Sequence, residues 1–276
     1  MNASLQPTQG REHQESVNTP DGSLCVTAIR ERAAVHRAAS YNGRDLGAHS
    51  RVAAMDSELA AIDSALADFR RDRNSLILAA ACPPEILSSI FLFLADLEPN
   101  YYSDPDEYLE LVTRKPRPRQ GWMKVIKVCH SWRAAAFADG RLWTTATTTM
   151  GLWWTREMVR LSKNFSLSLD LRCTASPGKE YYPFTLITKN AHRLSRLQVL
   201  CSARGGERLG SLCKEPAPML EALYIFVRER KHQLPDDVFA KHMPRLRELY
   251  LHNAVLSWDL LPGLRLTHLT LTSNDC

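Results

Sequence analysis

Between residues 51 and 80 the apolar positions keep a strict beat. Val52, Met55, Leu59, Ile62, Leu66, Phe69, position 73 and Leu76 follow one another at intervals of 3, 4, 3, 4, 3, 4 and 3 residues. This heptad spacing lines side chains along one face of an α-helix, and only Arg73 interrupts it. Asp56, Glu58 and Asp63 lie toward the start and Arg70, Arg71 and Arg73 toward the end, the sense that complements the helix dipole. Such a seam either pairs two copies of the chain through residues 52–76 or lies on its own domain, and the spacing alone leaves both readings open.

The next stretch, ACPPEILSSIFLFLADL at 81–97, predicts a second helix. Pro83 and Pro84 suit a first turn, where their missing N–H groups would have had no partner, and Glu85 meets the positive end of the dipole. Ile86, Leu87, Ile90, Phe91, Leu92, Phe93, Leu94 and Leu97 spread well beyond the apolar stripe of about 100° that a simple surface helix buries. The helix is therefore expected to be covered on two sides, by a small core of its own and by a partner. In GWMKVIKVCHSWRAAAFADGRLWTT, residues 121–145, Trp122, Val125, Val128, Cys129 and Trp132 recur at helical intervals, and Leu142 and Trp143 close the segment.

After residue 150 the pattern changes to L-x-x-L-x-[LVI], starting at Leu194, Leu220, Leu246 and Leu266, with starts 26, 26 and 20 residues apart. Spacings of about 20 to 29 belong to leucine-rich repeats. Asn253 closes the third unit, and Asn274, displaced by one, the fourth. Leu167, Leu169 and Leu171 alternate in a strand that could begin the stack. Because strand side chains alternate between faces, Arg196, Gln198, Ala222, Tyr224, Phe226, Glu248, Tyr250, His252, His268 and Thr270 are predicted to share one surface, opposite the leucines. Tyrosine, phenylalanine and arginine there are types enriched at protein-binding hot spots; the alternative is that Tyr224 and Tyr250 simply stack as a ladder.

Three fragments in order, Pro-Pro-Glu-Ile-Leu-x-x-Ile-Phe, Val-Cys-x-x-Trp-Arg and Leu-Trp, resemble the F-box motif in the form common among large fungal (basidiomycete-type) families of F-box-like proteins. The likeness covers residues 82 to about 143, and relatives of that kind often carry a short coiled-coil helix just upstream. It implies a small helical module that docks on the Skp-type adaptor of a cullin-RING ubiquitin ligase. Carried over position by position, Pro83, Pro84, Ile86, Leu87, Ile90, Phe91, Val128, Trp132 and Trp143, with Cys129 and Leu142, are implicated in adaptor contact or in the module's own core. Cys82 stands where leucine is usual, which would leave part of an adaptor pocket unfilled at about 1 kcal/mol. The connection at 98–120, acidic and then basic, is longer than in a compact F-box and is either a second contact surface or a solvated insertion.

Composition adds mainly exclusions. At 276 residues, 45% hydrophobic and 24% charged, the chain has room for roughly two domains of about 150 residues. No run approaches the roughly 18 apolar residues of a membrane span, and the first residues do not read as a secretory signal, so a cytoplasmic or nuclear protein is expected. The seven cysteines are odd in number and form no C-x-x-C pair, so neither disulfides nor a metal site is expected; Cys129-His130 has no second ligand pair at finger spacing. The net charge of +5 is spread along the chain apart from the 98–120 blocks, and no nucleic-acid-binding motif accompanies it. G-x-S-x-G, H-E-x-x-H and phosphate-binding glycine loops are lacking, so no catalytic residue and no cofactor are assigned.

The expected organisation is a disordered segment at 1–50, a coiled-coil-like helix at 51–81, the F-box-like module at 82–145 and a leucine-rich-repeat-like region at 146–276. In fold class this is α followed by α/β: helices, then a solenoid of parallel strands. The function implied is the substrate-recognition subunit of an SCF-type cullin-RING ligase, with an unknown protein as target. The alternative is a leucine-rich-repeat scaffold without a ligase role.

Overall fold

In the computed structural model the described residues are 23–38, 47–101, 120–173, 181–228, 231–257, 259 and 263–273. The chain divides into two units, Met1–Arg70 and Arg71–Cys276. The first contains helix α1 (Ser23–Ala38) and most of α2 (Ala48–Ser75). Helix α1 lies inside the stretch 1–50 expected to be disordered, while 1–22 and 39–46 of that stretch lie outside the described residues. Its sequence, SLCVTAIRERAAVHRA, has no regular apolar stripe but is rich in alanine and arginine, which favour helix intrinsically. Arg32 Nε donates to Glu58 Oε1 of α2 at 2.8 Å. The glycine-bearing stretch 41–47 and the connection 98–120 lie largely outside the described residues.

The predicted seam runs along one continuous helix, and Val52, Met55, Leu59, Leu66 and Phe69 all lie exposed. Among the described residues nothing buries these five side chains, and Ile62 of the same seam is half-buried. The helix ends at Ser75, short of the expected 81, and a turn at 76–82 follows. The carbonyls of Ala79 and Ala80 in that turn accept from Trp132 Nε1 and Ser131 Oγ, each at 2.8 Å.

In the second unit, α3 (Pro84–Leu97) starts where the proline pair predicts, with Pro83 as N-cap, Pro84 in the first turn and Glu85 beside it. The helical intervals of Trp122 to Trp132 do not run along one continuous helix. Gly121–Lys127 is a 3-10 segment, Cys129 is extended (φ −156°, ψ 177°), and α4 occupies His130–Ala138. Gly121 sets up this break. Its φ is +49°, and a Cβ there would run into the carbonyl oxygens of Glu98 and Pro99, so only glycine admits the close crossing of the two segments. A second 3-10 turn, Gly140–Trp143, delivers Leu142 and Trp143 into the core.

The remainder is mixed α/β. Strands β1 (Thr145–Thr147), β2 (Leu167–Arg172), β3 (Leu194–Cys201), β4 (Ala222–Val227), β6 (Glu248–His252) and β8 (His268–Thr272) form a six-stranded sheet in sequence order, each pair parallel. Strands β5 (His232–Gln233) and β7 (Ala254–Val255) make a separate parallel pair. Helices α5 (Leu152–Leu161), α6 (Tyr181–Asn190) and α7 (Ala203–Leu212) supply the first crossovers, as parallel neighbours require. The sheet begins one strand earlier than expected, because Thr145–Thr147 lacks the leucine alternation that marks β2.

The repeated leucines fall into register. Leu197 pairs with Leu223, which pairs with Leu249 and then Leu269, while Val199, Ile225, Leu251 and Leu271 form the next row. In β3, β4 and β6 these side chains are buried in the main core, but Leu269 and Leu271 of β8 are 44% and 50% exposed. Asn253 sits just after β6 at φ +52°, a conformation asparagine tolerates better than most residues. Its Nδ2 donates to Val227 O at 3.0 Å, tying one turn of the sheet edge to the previous one.

Candidate functional site

Two surfaces carry the residues singled out by sequence. The first is α3. One face turns inward: Leu87 and Phe91 are fully buried, and the Phe91 ring lies 5.3 Å from that of Trp132. The other holds Ile86, Ile90, Phe93 and Leu97, spaced 4, 3 and 4, and these are 52%, 49%, 74% and 80% exposed. Pro83 and Pro84 at the start of α3 are also exposed, as is Val128.

The implicated residues thus separate into two sets. Leu87, Phe91 and Trp143, with Leu142, are core and cannot make adaptor contact as they stand. Trp143 is wholly buried, its Nε1 donating to Ala136 O at 2.8 Å and its ring 5.0 Å from Trp122. Trp132 is half-buried, held by its bond to Ala79. Pro83, Pro84, Ile86, Ile90 and Val128 remain open. Phe93 and Leu97 belong with them although the motif does not mark them; the i, i+4, i+7, i+11 spacing from Ile86 is the signal that finds them.

The second surface is the sheet face opposite the leucine rows. Register places Arg196, Ala222, Glu248 and His268 in one row, Gln198, Tyr224, Tyr250 and Thr270 in the next, and Phe226 and His252 in the third. The expected sharing of one face therefore holds. The expected exposure does not: Gln198, Ala222, Tyr224, Phe226, Tyr250 and His252 are buried, whereas His268 and Thr270 are exposed. Leu200, Ala222, Tyr224, Phe226 and Tyr250 form an apolar cluster of their own, apart from the main core. Large rings in adjacent strands cover one another, and single-strand alternation does not reveal this.

The ladder reading describes these rings. Tyr224 and Tyr250 stack at 6.3 Å and 29°, Tyr250 and Phe226 at 5.0 Å and 30°. The Arg196 guanidinium lies 4.4 Å from the Tyr224 ring centroid, and the Tyr224 hydroxyl donates to Glu248 Oε2. Burial, reinforced by that bond to a carboxylate, pushes the Tyr224 phenol up to about 12. Burial likewise lowers His252, whose Nδ1 is 2.9 Å from Thr272 Oγ1. Beside the ladder an open pocket of about 240 Å³ is lined by Tyr224, Glu248, Leu249, Tyr250, His268 and Thr270. On the leucine face a cleft of about 260 Å³ runs between β6 and β8, lined in part by Leu249, Leu251, Leu256, Leu269 and Leu271.

Cys201 and Cys213 are buried, and burial followed by the neighbouring Cys201 pushes the Cys213 thiol up, away from the thiolate that reacts. Among the described residues no helix is long and apolar enough to cross a membrane. Compared with protein-family models, curated proteins and solved structures, the chain shows no match.

Proposed function

We propose that the chain is a substrate-recognition subunit of an SCF-type cullin-RING ubiquitin ligase. In this reading the exposed stripe of α3 docks on the Skp-type adaptor, and the aromatic sheet face of a leucine-rich-repeat-like stack receives a protein target. The observation that carries it is the two-sidedness of α3. A 14-residue helix that buries Leu87 and Phe91 yet leaves Ile86, Ile90, Phe93 and Leu97 open has one apolar face more than its own core uses. The resemblance to the F-box motif at these positions names the occupant. Catalysis would be by proximity, raising the effective concentration of a target lysine near a ubiquitin-charged subunit, so no residue of this chain is assigned chemistry. The open heptad seam of α2 is assigned to pairing with a second copy.

The test is capture of the purified chain by the Skp-type adaptor, beside Ile90→Asp and Phe93→Asp. Both sites are exposed, so the variants should keep wild-type circular dichroism and melting. Wild-type binding with loss of at least about tenfold in affinity in each variant is expected, since a charge set into an apolar interface costs more than about 1.4 kcal/mol. A folded wild type that does not bind the adaptor removes the ligase role and leaves a binding scaffold built on the sheet.

A further inference from the structure

We propose that the pocket beside the aromatic ladder binds one basic side chain, lysine or arginine, presented by the protein target. This rests on reading the sheet face as the target surface. Its own basis is the chemistry of the lining. Among Tyr224, Glu248, Leu249, Tyr250, His268 and Thr270, Glu248 brings the one carboxyl group. Its Oε2 accepts from the Tyr224 hydroxyl. A carboxylate accepts at both oxygens, so Oε1 is left to meet a donor from the pocket.

The walls suit a cation with an aliphatic stem. Tyr224 and Tyr250 are buried and stacked, so their rings are already ordered and little entropy is lost on binding. Tyrosine faces attract cations, and this ladder holds one already: Arg196 sits 4.4 Å over Tyr224. Arg196 belongs to β3, two strands from Glu248 of β6, and is not among the pocket's lining residues. A volume of about 240 Å³ has room for several waters, hence for one long side chain but not for a folded element. An acidic residue would face Glu248 directly, and an apolar one would desolvate that carboxylate without compensation; a basic one satisfies it by a charge-assisted hydrogen bond.

The experiment is an NMR titration of the full chain with a blocked pentapeptide, Gly-Gly-Arg-Gly-Gly, and its lysine and citrulline versions, following the Tyr224 and Tyr250 ring signals. Saturable shifts with arginine and lysine, and affinity at least about tenfold weaker for uncharged citrulline, are expected. Glu248→Gln should weaken the basic peptides to the citrulline level, and Thr270→Lys, at an exposed position, should abolish binding by placing a cation in the pocket. Equal affinity for citrulline, or no shift with either basic peptide, overturns the assignment. Adaptor capture is measured on the same Glu248→Gln sample. If it fails there and in wild type while the basic peptides still bind wild type, the ligase reading falls and the pocket assignment stands.

Discussion

Asp139 organises the turn that places Trp143 in the core. Its Oδ1 accepts from Arg141 N at 3.0 Å, and Arg141 Nη2 reaches Oδ2 at 2.7 Å. The Arg141 hydrogen bond, working against burial, holds the Asp139 carboxyl below its ordinary value of 3.8. A depressed carboxylate contributes stability that is present above the unfolded value and lost as pH falls through the folded one. Asp139→Ala should therefore cost about 1 kcal/mol near neutrality, with the ion pair adding little because Arg141 is half exposed and screened. Urea denaturation across a pH series should show this gap closing below about pH 3.8; a gap that does not change with pH would mean that the carboxylate's charge plays no part.

At the scale of elements, strands that read alike in sequence differ in how they are covered. Leu251 of β6 and Leu271 of β8 hold the same place in the L-x-x-L-x-[LVI] pattern and are paired in register, but Leu251 is buried and Leu271 half exposed. Truncation costs both the lost burial and the cavity left behind. Leu251→Ala should destabilise by about 2–5 kcal/mol and Leu271→Ala by less than about 1.5 kcal/mol, measured as the shift in urea midpoint. Equal costs would mean that β8 is covered in solution. The strands with regular leucine alternation and the proline-started α3 were legible from local pattern. Helix α1 and strand β1 were not, because propensity rather than periodicity forms the one and pairing with β2 forms the other.

At the scale of the whole molecule, what this chain binds depends on the apolar surface it leaves open. The α2 seam presents Val52, Met55, Leu59, Leu66 and Phe69 to solvent, and a heptad repeat on one helix is matched by the same repeat on another. Leu59→Glu, in the middle of the seam, should convert a sedimenting dimer to a monomer while the helix signal of the second unit persists. A wild-type chain that sediments as a monomer at all accessible concentrations would remove the pairing.

The division between what the sequence determines and what tertiary structure decides follows from the range of the forces. Periodicity, proline placement and the leucine spacing are local, so α2, α3 and strands β2, β3, β4, β6 and β8 follow from them, as does the sharing of one face by Arg196, Tyr224, Glu248 and Tyr250. Exposure is a property of what packs on top. Only the folded chain assigns Leu87 and Phe91 to the core while Ile86 and Ile90 stay open. Only the folded chain buries Phe226 and His252 while leaving a pocket at Glu248, because rings from adjacent strands cover each other in proportion to their size and register, and neither is written in a single strand.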